Sequence, residues 1–214
     1  EIYVDAASVE GDAQSGFTFD GTPVTRSFGK MGKSLKNSVT PDDMYAAFGA
    51  DTLRLYEMSM APITQDRPWE TRSVIGSQRL LQRVWRNIVD EQTGELAVTD
   101  DAPSEELLCV LHKTIDGVSA DMDNLRYNTA IAKLIELNNE VTKAEGPTPR
   151  VVADAMVRML SPLVPHMAEE LWSKLGGAGS VVWADFPVAD ESLLLDDQVE
   201  LPVQVKGKVR GRVR

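Results

Sequence analysis

The stretch Gly29-Lys30-Met31-Gly32-Lys33-Ser34-Leu35-Lys36-Asn37 sets three lysines and a serine hydroxyl among glycines, just ahead of a helix-start signal. Glycine lets a backbone approach a phosphate closely, and lysine is a compact, mobile point charge. Neutralising phosphate charge is the chemistry such a loop could do. The GxxxxGK[ST] spacing of a P-loop is absent, so this is not a Walker-type nucleotide site. The same composition also describes a solvated flexible loop.

Two further groups of cations have informative spacing. At about 100° per residue, Arg72, Arg79, Arg83 and Arg86 fall within about 60° of one another on a helix. They face away from Leu81, Val84 and Ile88. Such a face is either a phosphate track for nucleic acid or a solvated surface paired with neighbouring carboxylates. Near the end of the chain, Lys206, Lys208, Arg210, Arg212 and Arg214 alternate with Val205, Gly207, Val209, Gly211 and Val213. In one extended strand all these cations share a face; if Lys206-Gly207 is a hairpin turn, Lys208, Arg210 and Arg212 still do.

Other polar groups suggest less. His166, at a helix start, reads as a structural hydrogen-bonding group. His112 reads as a satisfied core or surface residue. Trp85 and Trp172 read as core aromatics rather than base-stacking platforms. Cys109 has no His/Asp constellation and reads as packing. Glu169 and Glu170 read as ordinary first-turn carboxylates. With one cysteine and two histidines, neither a disulfide framework nor a Cys/His zinc site is expected, and no metal site is assigned.

The elements that must position these groups follow from composition and period. The chain has 214 residues, 43% of them apolar, a net charge of −11 and a pI near 4.7. That balance suits a globular protein and argues against a general nucleic-acid coat, though not against local basic patches. No apolar run approaches the ~18 residues of a membrane helix, and no signal peptide is evident. A reducing, cytoplasmic setting is expected. Glu1 in place of methionine, and an alternating pattern that stops at Arg214, suggest a piece of a longer polypeptide.

Residues 1–29 read as strands and turns. Ile2-Tyr3-Val4 is a short strand, and Asp20-Gly21 is a hairpin turn between two further strands. Thr40-Pro41-Asp42-Asp43 starts a helix that Gly49 interrupts, with a second piece over 51–59. Helical period then runs over 71–89. About 104–123 carries Leu108, Leu111, Ile115, Val118, Met122 and Leu125. The next helix carries Tyr127, Ala130, Leu134, Leu137 and Val141. Val152, Met156, Met159 and Leu163 mark a fourth helix. Met167, Leu171, Trp172 and Leu175 mark a fifth, stopped by Gly176-Gly177. The expected fold is mainly α: an antiparallel helical bundle with short β segments at both ends. Seven carboxylates and no cation between Asp90 and Glu106 make one acidic stretch, and 178–200 is another.

Lys30-Met31-Gly32-Lys33-Ser34 resembles the KMSKS signature of class I aminoacyl-tRNA synthetases. Leu35-Lys36-Asn37-Ser38-Val39, Pro41 and Gly49-Ala50-Asp51-Thr52-Leu53-Arg54 are similar to the sequence that follows it in that family. Trp85-Arg86-Asn87, Asn128-Thr129-Ala130-Ile131 and the run from Pro162 to Trp172 are similar to the bundle of the leucyl, isoleucyl and valyl branch. The stretch Val203–Val213 resembles the opening of a leucyl-type C-terminal domain. Gly32 departs from the pattern, standing where the family has serine. The family's HIGH motif, nucleotide-binding sheet and editing domain are not in this chain.

The resemblance implies four parts: 1–38 as the end of a catalytic domain with the lysine loop, 39–176 as a tRNA-binding bundle, 177–199 as an acidic linker, and 200–214 as the start of a β-containing domain. It implies ATP-dependent activation of leucine and transfer to tRNA(Leu), with Mg2+ accompanying ATP and held mainly by parts outside this chain. Lys33 would be the main cation on the ATP phosphates and Lys30 the second. Ser34 would donate a hydroxyl, with Met31 and Gly32 completing the ATP-binding loop. Arg72, Arg79, Arg83, Arg86, Lys206, Lys208, Arg210 and Arg212 would meet tRNA. The alternatives are an isoleucyl or valyl enzyme, a non-catalytic helical module that binds RNA or protein, or a split enzyme with this chain as its smaller subunit.

Overall fold

The computed structural model describes residues 2–144, 146–194, 201–205 and 208–213. It opens on a small antiparallel sheet of β1 (Glu10–Asp12), β2 (Gly16–Phe19) and β3 (Thr22–Val24). Asp20 (φ 48°) and Gly21 (φ 74°) turn β2 into β3, with Phe19 opposite Thr22. Positive φ at both central residues is what a two-residue hairpin turn requires, and Asp-Gly supplies it cheaply. β1 has no clear signal in the sequence. The expected strand at Ile2–Val4 does not form, and among the described residues no strand lies beside it.

Seven helices follow: α1 (Pro41–Phe48), α2 (Ala50–Ser59), α3 (Thr71–Ile88), α4 (Glu105–Asp123), α5 (Tyr127–Lys143), α6 (Arg150–Leu160) and α7 (Pro165–Lys174). Their ends obey local chemistry. Thr40 caps α1 by accepting from the Asp43 amide at 3.2 Å, and Ser104 caps α4 by accepting from the Leu107 amide at 3.2 Å. Gly49, at φ 83°, is the joint between α1 and α2. Gly176, at φ 87°, ends the run after α7.

The main core is built from α3 to α7 with one residue of α2, Leu55. Val84, Ile88, Leu111, Val118, Leu137, Met156, Met159 and Leu171 are all buried there. The seam of α4 begins on Leu107, with Leu108 only half-buried, and Leu125 lies past the helix end, exposed at φ 56°. A second, smaller core holds Met44, Leu53, Tyr56 and Val74, with Val39, Phe48, Met60 and Trp69 against it. It joins α1, α2 and the start of α3.

Two short strands carry no periodic signal in the sequence. β4 (Val98–Thr99) and β5 (Thr148–Pro149) pair in parallel and tie the α3–α4 connection to the start of α6. Toward the end of the chain, β6 (Leu201–Val205) and β7 (Lys208–Val213) pair antiparallel, Val205 opposite Lys208, with a register shift between Val203 and Gln204. No helix among the described residues is long and apolar enough to cross a membrane.

Candidate nucleic-acid interface and phosphate loop

The lysine loop lies between β3 and α1 and is largely exposed. The Asn37 side chain organises it. Its Oδ1 accepts from the Gly32 amide at 2.8 Å, and its Nδ2 reaches the Lys30 carbonyl at 3.4 Å. Lys33–Leu35 forms a single 3-10 turn, in which the Leu35 amide donates to Gly32 O at 3.1 Å. Lys36, at φ 52°, closes that turn in the left-handed region. Lys30, Lys33 and Ser34 all stand exposed, and Met31 is 44% exposed. Gly32 itself is extended (φ −176°, ψ 152°), and a β-carbon there would meet nothing within 4 Å. The backbone at that point therefore makes no demand for glycine. Asn37, absent from the expected site residues, is the loop's own scaffold; its signal in the sequence is an amide side chain one turn beyond the lysines.

α3 carries the arginine face. Its inner side buries Val74, Leu80, Leu81, Val84 and Ile88. Its outer side presents Arg72, Arg79 and Arg86 exposed and Arg83 half-buried. Gly76, Arg79, Gln82, Arg83 and Arg86 line an open depression there. Arg83 donates from Nη1 to Asn139 Oδ1 on α5 at 3.1 Å, while its buried Nε has no hydrogen-bond partner. Among the described residues none of the four arginines forms an ion pair. Exposed Arg72, Arg79 and Arg86 can hold phosphates bidentately, and Arg83, with Nη1 on Asn139 and Nε buried, adds its charge.

The α3–α5 contact beneath this face is polar. Asn87 Nδ2 donates to Asn138 Oδ1 at 2.9 Å and to Thr142 Oγ1 at 3.0 Å. Buried Asn138 keeps one unpartnered Nδ2. The third basic group lies on the hairpin: Lys208, Arg210 and Arg212 belong to β7, while Lys206 lies outside the described residues. Because of the register shift, β7 does not keep one uninterrupted ladder with β6.

The remaining singled-out groups are structural. His166 Nδ1 lies 2.9 Å from Asp51 Oδ1, and His112 Nδ1 accepts from the Asp190 amide at 2.9 Å. Trp85 and Trp172 pack half-buried against the main core. Glu169 does more than start a helix: it accepts from the Ser180 hydroxyl and from the Val181 amide at 3.2 Å. The Ser180 hydrogen bond is the largest cause holding the Glu169 carboxyl below its ordinary pKa. Among the described residues no three His, Cys, Asp or Glu side chains are grouped to hold a metal ion.

Residues 104–214 match the family described as the anticodon-binding domain of tRNA ligase. The match covers more than half of the chain, so this chain belongs to that family. The relatives narrow the class. The chain is 57% identical over 212 residues to the leucine–tRNA ligase of Streptomyces avermitilis, covering 99% of this chain and 22% of the relative. It is 59% identical over 214 residues to the leucine–tRNA ligase of Saccharopolyspora erythraea, with the same 99% and 22% coverage. A solved ternary complex of Agrobacterium radiobacter K84 agnB2 LeuRS, tRNA and LeuAMS superposes with a TM-score of 0.67 at 27% identity, over 86% of this chain and 26% of that one. The chain spans about a fifth of the length of the curated relatives that it matches.

Proposed function

We propose that this chain is the loop-and-bundle portion of a leucyl-tRNA synthetase. The whole protein activates leucine with ATP and transfers it to tRNA(Leu). In the first step the leucine carboxylate attacks the α-phosphorus and pyrophosphate leaves. Negative charge gathers on the phosphates as the P–O bond breaks. Ammonium groups that engage them more strongly in the transition state lower the barrier by differential binding. Lys33 is the main cation, Lys30 the second, and Ser34 a hydroxyl donor, with Met31 and Gly32 completing the ATP loop. Mg2+ accompanies ATP and is held mainly by residues outside this chain. In the second step a hydroxyl of the tRNA's terminal ribose attacks the leucyl carbonyl of the adenylate, the acyl–phosphate bond breaks, and AMP leaves.

The division of labour follows the four parts: 1–38 carries the loop, 39–176 holds tRNA, 177–199 links, and 200–214 opens a second tRNA-binding part through Lys206, Lys208, Arg210 and Arg212. The observation that carries the tRNA site is the ion-pair-free face of Arg72, Arg79, Arg83 and Arg86. Relatives named leucine–tRNA ligase at 57% and 59% identity favour the leucyl enzyme over its isoleucyl and valyl neighbours.

Filter binding of tRNA(Leu) between low and moderate salt tests the interface. Removing a cation that neutralises one phosphate lowers the salt slope by about one unit. Arg83→Glu with Arg86→Glu weakens binding and flattens the slope by about two. An unchanged slope removes this face from the interface.

A further inference from the structure

α2 packs against α1 and α3 and also reaches the turn that joins α6 to α7. It grips that turn with two opposite charges one helical turn apart. Asp51 accepts from the Met167 amide at 2.7 Å through Oδ2, and through Oδ1 it meets His166 Nδ1 at 2.9 Å. A carboxylate there sits on the positive end of α7. Arg54 donates from Nε to the Leu163 carbonyl at 3.1 Å and from Nη2 to the Pro162 carbonyl at 3.0 Å. These oxygens follow directly on the C-terminal end of α6, the end that attracts cations.

The rest of α2 serves the other direction. Leu53 and Tyr56 belong to the small core with α1, while Leu55 belongs to the main core. The Tyr56 hydroxyl donates to Glu70 O at 3.0 Å and accepts from the Glu70 amide at 3.2 Å, at the start of the arginine helix α3. Val39, just after the lysine loop, and Phe48, the last residue of α1, pack on the same small core. One ten-residue helix therefore ties the loop exit, the arginine helix and the α6–α7 turn together.

We infer that Asp51 and Arg54 are positioning residues that fix the lysine loop against the RNA-holding bundle. They touch neither phosphate nor RNA. Their work is to make loop and bundle move as one body, so that tRNA seated on α3 sets where the loop stands. This rests on the proposed synthetase reading. Misplacement by about an ångström costs up to about 100-fold in a reaction that depends on alignment.

The test uses the complete synthetase, with leucine, ATP and tRNA(Leu). The wild-type protein is assayed first for leucine-dependent pyrophosphate exchange; no exchange there defeats the synthetase reading itself. With exchange present, Asp51→Ala and Arg54→Ala are expected to lower the kcat of tRNA charging about 10- to 100-fold. The KM for leucine and the Kd for tRNA are expected to stay within about twofold of wild type, while leucine-dependent exchange, which depends on the same loop, falls with charging. Asp51→Asn, which keeps an acceptor for the Met167 amide, and Arg54→Lys are expected to restore most of the charging rate. Charging lost with exchange untouched, weakened tRNA binding, or charging that stays at the wild-type rate overturns the inference. The milder pair keeps the test decisive if the alanine variants do not fold.

Discussion

Lys133 on α5 reaches the buried carboxylate of Asp121 on α4 by lying across Gly117, where a β-carbon would stand 2.6 Å from the lysine Cε. Glycine in mid-helix costs roughly 1 kcal/mol of intrinsic propensity, and here it leaves open the path that the lysine stem takes. Arg126 Nε completes the site at 2.9 Å from the same carboxylate. The α4–α5 turn is thereby fastened at the position where α4 ends and α5 begins.

Asp121 makes this site dependent on pH. Burial opposes its charge, yet hydrogen bonds from Lys133 and Thr129 and the charges of Lys133 and Arg126 outweigh it, and its pKa falls below the ordinary carboxylate value of 3.8. A folded-state pKa below the unfolded one adds stability that is full above the unfolded value and is lost as pH falls through the folded one. Acid titration is therefore expected to remove this contribution below about pH 4. Asp121→Ala is expected to cost about 2 kcal/mol, below the ~3–5 kcal/mol of a fully buried pair, because Lys133 and Arg126 can rehydrate. Urea unfolding at pH 7 and pH 3 checks both: the variant's deficit should shrink at the lower pH.

Gly177 and Gly32 should respond differently to an added side chain. At Gly177 a β-carbon would lie 2.1 Å from Cε2 of the Trp172 indole, which packs against the main core. Gly177→Ala is expected to cost about 1–3 kcal/mol by overpacking. At Gly32 the space is open and the backbone extended, so Gly32→Ser is expected to leave stability unchanged or raise it by less than ~1 kcal/mol through a stiffer unfolded chain. Paired thermal melts separate the two.

Lys33→Ala in the complete synthetase is expected to slow adenylate formation about 10²–10³-fold, the cost of one lost transition-state donor. Leucine-dependent pyrophosphate exchange measures it, and an unaltered rate takes Lys33 out of the chemistry.

Glu169 anchors the chain after α7 through Ser180 and Val181. Glu169→Ala is expected to release the Val181 amide to solvent exchange while the melting temperature hardly moves. In the wild-type protein the same protection should fade as pH drops below about 4, because a lowered carboxylate pKa means that the anchor holds until Glu169 is protonated. Amide hydrogen exchange at that residue is the measurement.

Much of this is legible from residue order alone. The period of α3 names its buried stripe and, by subtraction, its arginine face, because a helix fixes the angle between residues. The Asp20-Gly21 turn, the Thr40 cap and the Gly176 stop follow from local backbone chemistry. The mainly α bundle follows because five apolar seams have only one another to bury against. The tertiary structure decided what depends on partners remote in sequence. It left Arg72, Arg79, Arg83 and Arg86 without an ion pair among the described residues, a matter of which helix lies beside α3. It paired Val98–Thr99 with Thr148–Pro149, runs too short to show any period. It left Ile2–Val4 without a ladder, and it brought Asp51 and Arg54 to a turn more than a hundred residues away. Helical period is carried by neighbours in the chain, whereas ion pairing, ladder pairing and clamping are properties of surfaces that meet only once the chain has packed.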